Sequence, residues 1–402
     1  MELIKAEHRK LWSRRSTQIG VLVYLLFTLV FGGVLSYQWF SFGSQWDSYS
    51  SSFENHFDGY ENIRRKQEYA SQWDTITDET FQEMAADCQK RLLSEDAALR
   101  EPTEWSVLNT WIRTLWPELE EADNPLPMIY YVNPEQLTGF YERRQEKLEE
   151  FLEANGQEGE EKAFFLEMNA EVGTNFPYRW TGGWSFLVGN AIESMRMVLG
   201  LLLAVAAAPV FAGEWHRGMR PVISVTKHGR RRTAAAKVLA ALAFCLEMVG
   251  VTAAGSVLCQ VIFLGTEGWD MPVQFIKLLA AVPWNMLQAE IYEYVFLLIG
   301  GLGFTAVTLL ISSLAKSTFA VLVLSLGVLY VPMAVSQYLP LWGQKLLELL
   351  PMVGNSLDIF RTEVYHVFGQ IIWSPWMLLA VPFLIGLCCV PAAFWGWCRR
   401  QR

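Results

Sequence analysis

Long apolar stretches without charged residues recur six times along the chain and are separated by segments rich in charge. Each stretch is close to the roughly 20 residues that a helix needs to cross about 30 Å of hydrocarbon. The core helices of a soluble protein would be shorter and would show a polar face. The pattern therefore predicts an all-α polytopic membrane protein with six transmembrane helices. The predicted spans are Ile19–Phe40, Met197–Ala212, Met248–Leu264, Tyr294–Leu314, Ser317–Leu341 and Ile371–Trp397.

Basic residues precede the first stretch, as they would in a secretory signal peptide. The apolar part, residues 19–40, is longer than the roughly 7–15 residues of a signal peptide, and no small-residue cleavage site follows it. Tyr37 and Trp39 are placed as an aromatic belt at the membrane surface. We therefore expect this stretch to remain as an anchor, with residues 1–18 as a separate segment before it.

Lys and Arg are concentrated after the even-numbered stretches. They crowd the loop after the second stretch, recur at Lys316 after the fourth, and follow the sixth at Arg399, Arg400 and Arg402. Because cytoplasmic loops are enriched in Lys and Arg, the N-terminus, the basic loop and the C-terminus are predicted to lie in the cytoplasm. The expected location is the plasma membrane of a bacterial cell.

Acidic residues dominate the segment 41–185, between the first two stretches, in a chain that is 52% hydrophobic and 18% charged. We predict that this segment is an extracellular domain, so that the formal net charge of −9 arises outside the cell. A nucleic-acid-binding surface needs the opposite sign, and no nucleic-acid partner is expected. The acidity suggests, as a hypothesis, that the domain gates an export path or receives cationic or peptide cargo.

Capping residues and the spacing of apolar positions predict that this domain is mainly helical. One helix is predicted to begin at Thr77, with acidic residues in its first turn. Another is predicted to begin at Asn133, which would cap it, with Pro134 in the first helical position. Its apolar residues then recur at roughly helical spacing until Asn155 and Gly156, where the helix is expected to end.

Catalytic and nucleotide-binding motifs are missing from the sequence. It contains no G-x-x-x-x-G-K-[ST] phosphate loop, no H-E-x-x-H zinc motif and no G-x-S-x-G nucleophile motif. Glu363 and His366 have one-turn spacing that would suit a metal, but a lone pair of this kind is more often a solvated face. We therefore expect no catalytic residue and no metal or cofactor bound by this chain.

The basic loop carries a spaced pattern that resembles the first intracellular loop of the six-span permeases of the ABC transporter type-2 family. Two flanking segments are also similar to that family. Residues 3–12 look like its N-terminal amphipathic elbow helix on the inner leaflet, and Leu310–Lys316 resembles its turn between spans four and five. Against the family spacing, Ser224 falls one place early and Arg230 two places late. The matching residues, in order, are Phe211, Glu214, Gly218, Gly229, Arg230 and Lys237.

The resemblance implies an export permease that forms a homodimer or heterodimer and docks separate cytoplasmic ATPase subunits, which bind the ATP and Mg²⁺. It also implies that the loop 211–233 couples the ATPase to the spans, through a short amphipathic helix near Glu214–Val225. An ordinary basic stop-transfer loop that attracts anionic membrane lipid is the alternative. A mechanotransmitter that signals through its extracellular domain is another, although such ABC-linked proteins generally have four spans.

Ionisable residues within or beside the predicted spans are functional candidates because hydrocarbon penalises charge. Glu247 is assigned to the third span, immediately before its charge-free stretch, while Glu290 and Glu293 lie near the outer end of the fourth span and Glu193 and Arg196 before the second stretch. They could form a polar patch between two protomers. Snorkelling to the membrane surface is the interpretation we favour for all of them except Glu247, for which both remain open. A membrane-embedded enzyme would have to use Glu247, Glu290 and Glu293 as its acids.

Overall fold

The computed structural model describes residues 2–41, 59–94, 105–216, 218–219 and 231–399. Six helices in these ranges are long and apolar enough to span a membrane, as the hydrophobic pattern predicts. The third differs most from its predicted bounds, since it begins at Arg231 rather than Met248. In chain order, the first to sixth spans are Arg15–Ser41, Ile192–Trp215, Arg231–Leu264, Met286–Leu314, Thr318–Ser336 and Ser374–Arg399.

Small residues let the spans approach one another closely. In the first span, Gly33 faces the third span, where a Cβ atom would lie 3.3 Å from the sulfur of Cys259. In the fourth span, a Cβ atom on Gly303 would lie 2.7 Å from the carbonyl oxygen of Pro382 in the sixth. Helix association in lipid depends on such close packing. The fourth span also has its own start signal, because Asn285 and Gln288 form a reciprocal capping box.

A helical domain lies between the first two spans. Its two short strands, Thr75–Ile76 and Phe176–Pro177, pair antiparallel and bring its two ends together. The predicted helix start at Thr77 is confirmed, because the Thr77 side chain accepts a hydrogen bond from the backbone N–H of Thr80. Within the described residues, the longer α-helices of this domain are Tyr60–Ala70, Asp78–Leu92, Trp105–Leu115, Phe140–Ala154 and Gly159–Ala170.

The helix start predicted at Asn133 is wrong. Asn133 caps only a 3₁₀ turn, Pro134–Gln136, and the α-helix begins at Phe140. The true cap comes from a different helix, since the Asp78 carboxylate accepts the backbone N–H groups of Gly139 and Phe140 at 2.7 and 2.8 Å. A carboxylate at a helix N-terminus also interacts favourably with the helix dipole.

The core of this domain includes two later segments, 265–285 after the third span and 337–373 between the fifth and sixth. Trp111 packs edge-on against Phe275, with ring centroids 4.9 Å apart. The buried Arg144 side chain donates to the carbonyl oxygens of Leu278 and Ala280 at 2.8 and 2.9 Å, and burial lowers the pKa of Arg144 to about 10. We call the described residues of 59–185 and these two segments together the insertion domain.

The segment 337–373 adds a short helix and a hairpin to the insertion domain. The helix is Leu341–Glu348, and the hairpin pairs Val364–Val367 with Gln370–Trp373 in antiparallel register. Trp373 ends the hairpin and packs against Trp284, just before the fourth span, with centroids 5.4 Å apart. The insertion domain is thus fixed to the starts of the fourth and sixth spans as well as to the first two.

Candidate functional site

At one end of the helix bundle lie the N-terminal helix, Glu2–Trp12, the end of the second span and the start of the third. We call this the basic end, because the Lys- and Arg-rich loop leaves from it. The N-terminal helix buries Leu11 and packs Trp12 edge-on against Phe244 of the third span, at 5.4 Å between ring centroids. The segment that resembles an elbow helix is therefore a helix held against the bundle.

Two lysines and two glutamates form an ion-pair cluster at the basic end. The Lys237 ammonium donates to Glu214 at 3.0 Å and to Glu7 at 2.7 Å, and Lys10 donates to the same Glu214 oxygen. Glu214 is 3% exposed and Lys237 is 1% exposed. We call these four residues the anchor cluster. It ties the N-terminal helix to the end of the second span and the start of the third.

Phe211 is held by the fourth and sixth spans. The backbone N–H groups of Phe211 and Ala212 donate to the Ser312 hydroxyl at 3.1 and 3.0 Å, and that hydroxyl donates to the carbonyl oxygen of Ala208 at 2.7 Å. The Phe211 ring packs against Trp397, with centroids 5.1 Å apart. The α-helix of the second span is interrupted between Ala207 and Ala212, and Ser312 satisfies backbone groups that this interruption leaves free.

Gly218 ends the helical turn that carries Glu214. Its φ of 63° is in the left-handed region, and the N–H of Met219 donates to the carbonyl of Glu214 at 3.1 Å, as in a helix C-terminal cap. Gly229, Arg230 and most of the predicted coupling helix near Glu214–Val225 lie outside the described residues.

The predicted coupling residues are thus partly brought together. The structure places Phe211, Glu214, Gly218 and Lys237 at one end of the bundle, and adds Glu7, Lys10 and Ser312, which sequence reasoning missed. The opposite charges of Glu7 and Lys10 on one amphipathic helix face were the available signal, but solvated surface helices have the same pattern.

Glu247 contacts the N-terminal helix. Its carboxylate lies 2.9 Å from Nε2 of His8 and accepts a hydrogen bond from the Trp12 indole at 3.1 Å. It is therefore a further link between the N-terminal helix and the third span, although it is partly exposed.

Glu290, Glu293 and Arg196 turn into the protein at the opposite end of the bundle, so the snorkelling interpretation is wrong for them. Glu290 is 1% and Glu293 0% exposed, and Arg196 is equally buried. The Ser356 hydroxyl donates to Glu293 at 2.9 Å. The fourth span is covered on this face by the insertion domain, which keeps these side chains from water.

Arg196 pairs with Glu193, one turn before it on the second span, and also donates to the backbone carbonyl of Met352. Glu193 is the less buried partner of this pair. The pair thus joins the second span to the segment between the fifth and sixth spans. It is a bridge within the protein, and not an anchor at the lipid surface.

A third charged group lies in the insertion domain, where one oxygen from each of Glu348, Asp358 and Glu363 lies within 4.8 Å of the others. Arg361 is the counter-ion, since its Nη1 atom lies 3.6, 3.2 and 3.7 Å from these three carboxylates. His366 instead pairs with Glu161 at 2.6 Å. The Glu363 and His366 side chains thus face different partners.

Asp358 gives the insertion domain a pH dependence. Burial raises the pKa of its carboxyl to about 7, despite Arg361. The folded protein therefore holds a proton that the unfolded chain releases near pH 4, so stability gained from this group is full at low pH and is lost as the pH rises toward 7. We expect Asp358→Asn to flatten the decline of thermal stability between about pH 4 and 7, which is at most about 1.4 kcal/mol per pH unit.

Thermal unfolding of the wild type and Asp358→Asn, followed at several pH values, measures this difference. The difference between the wild-type and Asp358→Asn curves is the informative quantity. His366→Gln is the matched control, since it alters an exposed pair on the same segment. Parallel curves for the wild type and Asp358→Asn would contradict the assignment.

The six spans make the chain a multi-pass α-helical membrane protein. Comparison with protein-family models, curated proteins and solved structures gives no match.

Proposed function

We propose that the chain is the membrane-spanning permease subunit of an ABC exporter, driven by ATP that a separate cytoplasmic subunit hydrolyses. The observation that supports this most directly is the anchor cluster. Among the residues on which the family resemblance depends, Phe211, Glu214 and Lys237 meet the N-terminal helix and Ser312 of the fourth span at one end of the bundle.

The anchor cluster gives the basic loop a mechanical connection to the spans. Glu214 lies near the start of the loop 211–233 and Lys237 lies just after its end, and their buried pair joins the loop's two ends. A displacement of the loop therefore moves the second and third spans together. Through Glu7 and Lys10 it also reaches the N-terminal helix, and through Ser312 the fourth span. Rigid-body movement of this kind is how a motor can act on a bundle.

A stop-transfer loop needs only exposed cations near the lipid surface. Buried acids paired with lysines add nothing to that role and cost desolvation energy. The anchor cluster therefore favours the coupling role over the simpler alternative. In this proposal ATP and Mg²⁺ are bound by the ATPase, and the permease acts by conformational change as one half of a dimer in the plasma membrane.

The mechanotransmitter alternative gains support from a different observation. The insertion domain shares its core with segments attached to the third, fifth and sixth spans, as the Trp111–Phe275 and Trp284–Trp373 contacts illustrate. A movement of the spans would therefore reach that domain even if nothing crossed the membrane. ATP-dependent export from reconstituted vesicles separates the two functions, because only a permease produces it.

Replacing residues 221–230 with a Gly/Ser linker of equal length should abolish co-purification of the ATPase subunit while the membrane protein still folds. The physical reason is that the anchor cluster lies outside this segment and keeps its pairs. Affinity purification of the tagged chain, followed by an ATP hydrolysis assay, measures the effect.

The matched control replaces residues 95–104, a segment of the same length between the first two spans. It should retain the ATPase. The proposal is contradicted if both variants keep equal ATP hydrolysis. It is also contradicted if a single cysteine at Gly218 reacts with an impermeant maleimide from outside intact cells.

A further inference from the structure

A cavity of about 790 Å³ lies within the insertion domain. It is bounded by the helix Trp105–Leu115, by residues 275–280 after the third span, and by part of the segment 355–361. This volume is in the range of small-molecule binding sites, roughly 300–1,000 Å³. The cavity thus has the size to hold a ligand and lies where three separate parts of the chain meet.

The cavity reaches the start of the membrane bundle. Gly189 lines it, and this residue belongs to the π-helical turn Leu187–Ala191 that immediately precedes the second span. Such turns are rare and occur often at functional sites. A ligand in the cavity would therefore touch both the insertion domain and a helix that enters the membrane.

The walls of the cavity are mostly apolar. Trp111 and Phe275 meet edge to face, which fixes the shape of one wall, and Val107, Phe151 and Leu278 extend the apolar surface. Removing a hydrocarbon chain from water onto such a surface is favourable in proportion to the area covered. The lining therefore suits a ligand with an extended apolar part.

The charged residues that line the cavity are both cationic. They are Lys277 and Arg361, and no acidic side chain lines it in the part of the chain that the structure describes. Arg361 is already shared by Glu348, Asp358 and Glu363, so little of its charge is left for a ligand. The exposed Lys277 forms no ion pair within the described ranges, and its ammonium group is available.

We propose that this cavity binds an anionic amphiphile, with its hydrocarbon chain against Trp111 and Phe275 and its carboxylate or phosphate group at Lys277. The proposal does not depend on the exporter role. The acidity of residues 41–185 suggests cationic cargo, but the cavity itself has the opposite preference. An anion paired with a lysine gains a charge-assisted hydrogen bond.

Gly189 provides a way to fill the cavity. A Cβ atom built at Gly189 meets no other atom within 4 Å, so a larger side chain can be introduced without a steric clash at its Cβ atom. Gly327 in the fifth span is equally open and does not line the cavity. The pair Gly189→Trp and Gly327→Trp therefore separates loss of the cavity from a general effect of a new tryptophan in a helix.

The test uses a fatty acid with a free carboxylate and a photoreactive diazirine near its tail. The full-length protein is placed in nanodiscs of phosphatidylcholine, and cross-linked peptides are mapped by mass spectrometry. We expect cross-links in peptides that contain residues 105–115 and 275–280. Gly189→Trp should reduce them at least about tenfold, whereas Gly327→Trp should leave them unchanged.

A separate variant tests whether the ligand's anionic group binds the Lys277 ammonium. Lys277 is exposed, so its replacement should leave the fold intact. Lys277→Gln should weaken labelling by the free acid about tenfold and leave labelling by its methyl ester unchanged. Lys90→Gln, at an exposed lysine elsewhere in the insertion domain, should change neither.

Competition distinguishes two sources of the ligand. If phosphatidylglycerol in the nanodisc suppresses labelling, a bilayer lipid occupies the site; if only added single-chain fatty acid does so, the ligand is a soluble amphiphile. Either result supports the proposal. Cross-links confined to the lipid-facing sides of the spans, or unchanged by Gly189→Trp, would overturn it, as would equal loss of acid and ester labelling in Lys277→Gln.

Discussion

Glu214→Leu is expected to destabilise the protein by about 3–5 kcal/mol, because it leaves the buried ammonium of Lys237 without one of its two carboxylates. Lys10 loses its partner in the same change. The double variant Glu214→Leu/Lys237→Met should recover most of that loss, since an apolar pair of similar volume replaces a buried ion pair at little net cost.

Thermal unfolding of the purified variants in detergent measures both effects. Glu2→Leu is the control, because Glu2 is on the same N-terminal helix and is almost fully exposed. Its unfolding temperature should equal that of the wild type. If Glu214→Leu also unfolds at the wild-type temperature, the anchor cluster does not hold the basic end together. If the double variant is no better than the single one, a specific geometry of the charges is needed.

Arg144→Met is expected to destabilise the insertion domain by at least about 2 kcal/mol. The guanidinium donates to two carbonyls of the segment 265–285 and to the side chain of Asn169 at 2.9 Å. Methionine keeps the bulk of the side chain but removes the arginine donor from the Leu278 carbonyl and the Asn169 side-chain oxygen. The Ala280 carbonyl keeps a donor in Gln274, and each acceptor that loses its donor costs about 1–3 kcal/mol.

Amide hydrogen exchange should show which part of the protein Arg144→Met destabilises. The amide of Ala280, which donates to the carbonyl of Lys277, should exchange faster in Arg144→Met, while amides of the fourth span keep their protection. Arg64→Met removes an exposed arginine that also pairs with acids, and it should behave like the wild type because surface pairs contribute little. Faster exchange throughout the fourth span would show that the insertion domain and the bundle unfold together.

The hydrophobic pattern predicted the spans well because a bilayer constrains both length and composition. It could not predict where the third span begins, since Arg231 to Glu247 includes cations that are satisfied by other parts of the chain. Lys237, for example, is buried against Glu7 and Glu214. A hydropathy profile counts such a lysine as evidence that the span has ended, whereas in the folded protein its charge is paired with carboxylates.

Local signals succeeded where the cap and the helix are neighbours and failed where they are not. Thr77 caps its own helix, but the helix at Phe140 is capped by Asp78, sixty-two positions away. The snorkelling interpretation failed for a similar reason. Whether Glu290 and Glu293 reach water depends on which face of the fourth span is covered, and the cover is provided by residues such as Ser356 that come later in the chain.

The shared core of the insertion domain has a consequence for biosynthesis. When the ribosome has completed only the second span, Trp111 and Arg144 have been made but Phe275, Leu278 and Ala280 have not. The domain must then wait, with an apolar face uncovered, until most of the remaining helices have been inserted. Nascent segments in that state are prone to aggregation. Chains arrested before residue 285 are therefore expected to need a holding chaperone, whereas chains arrested after the sixth span are not.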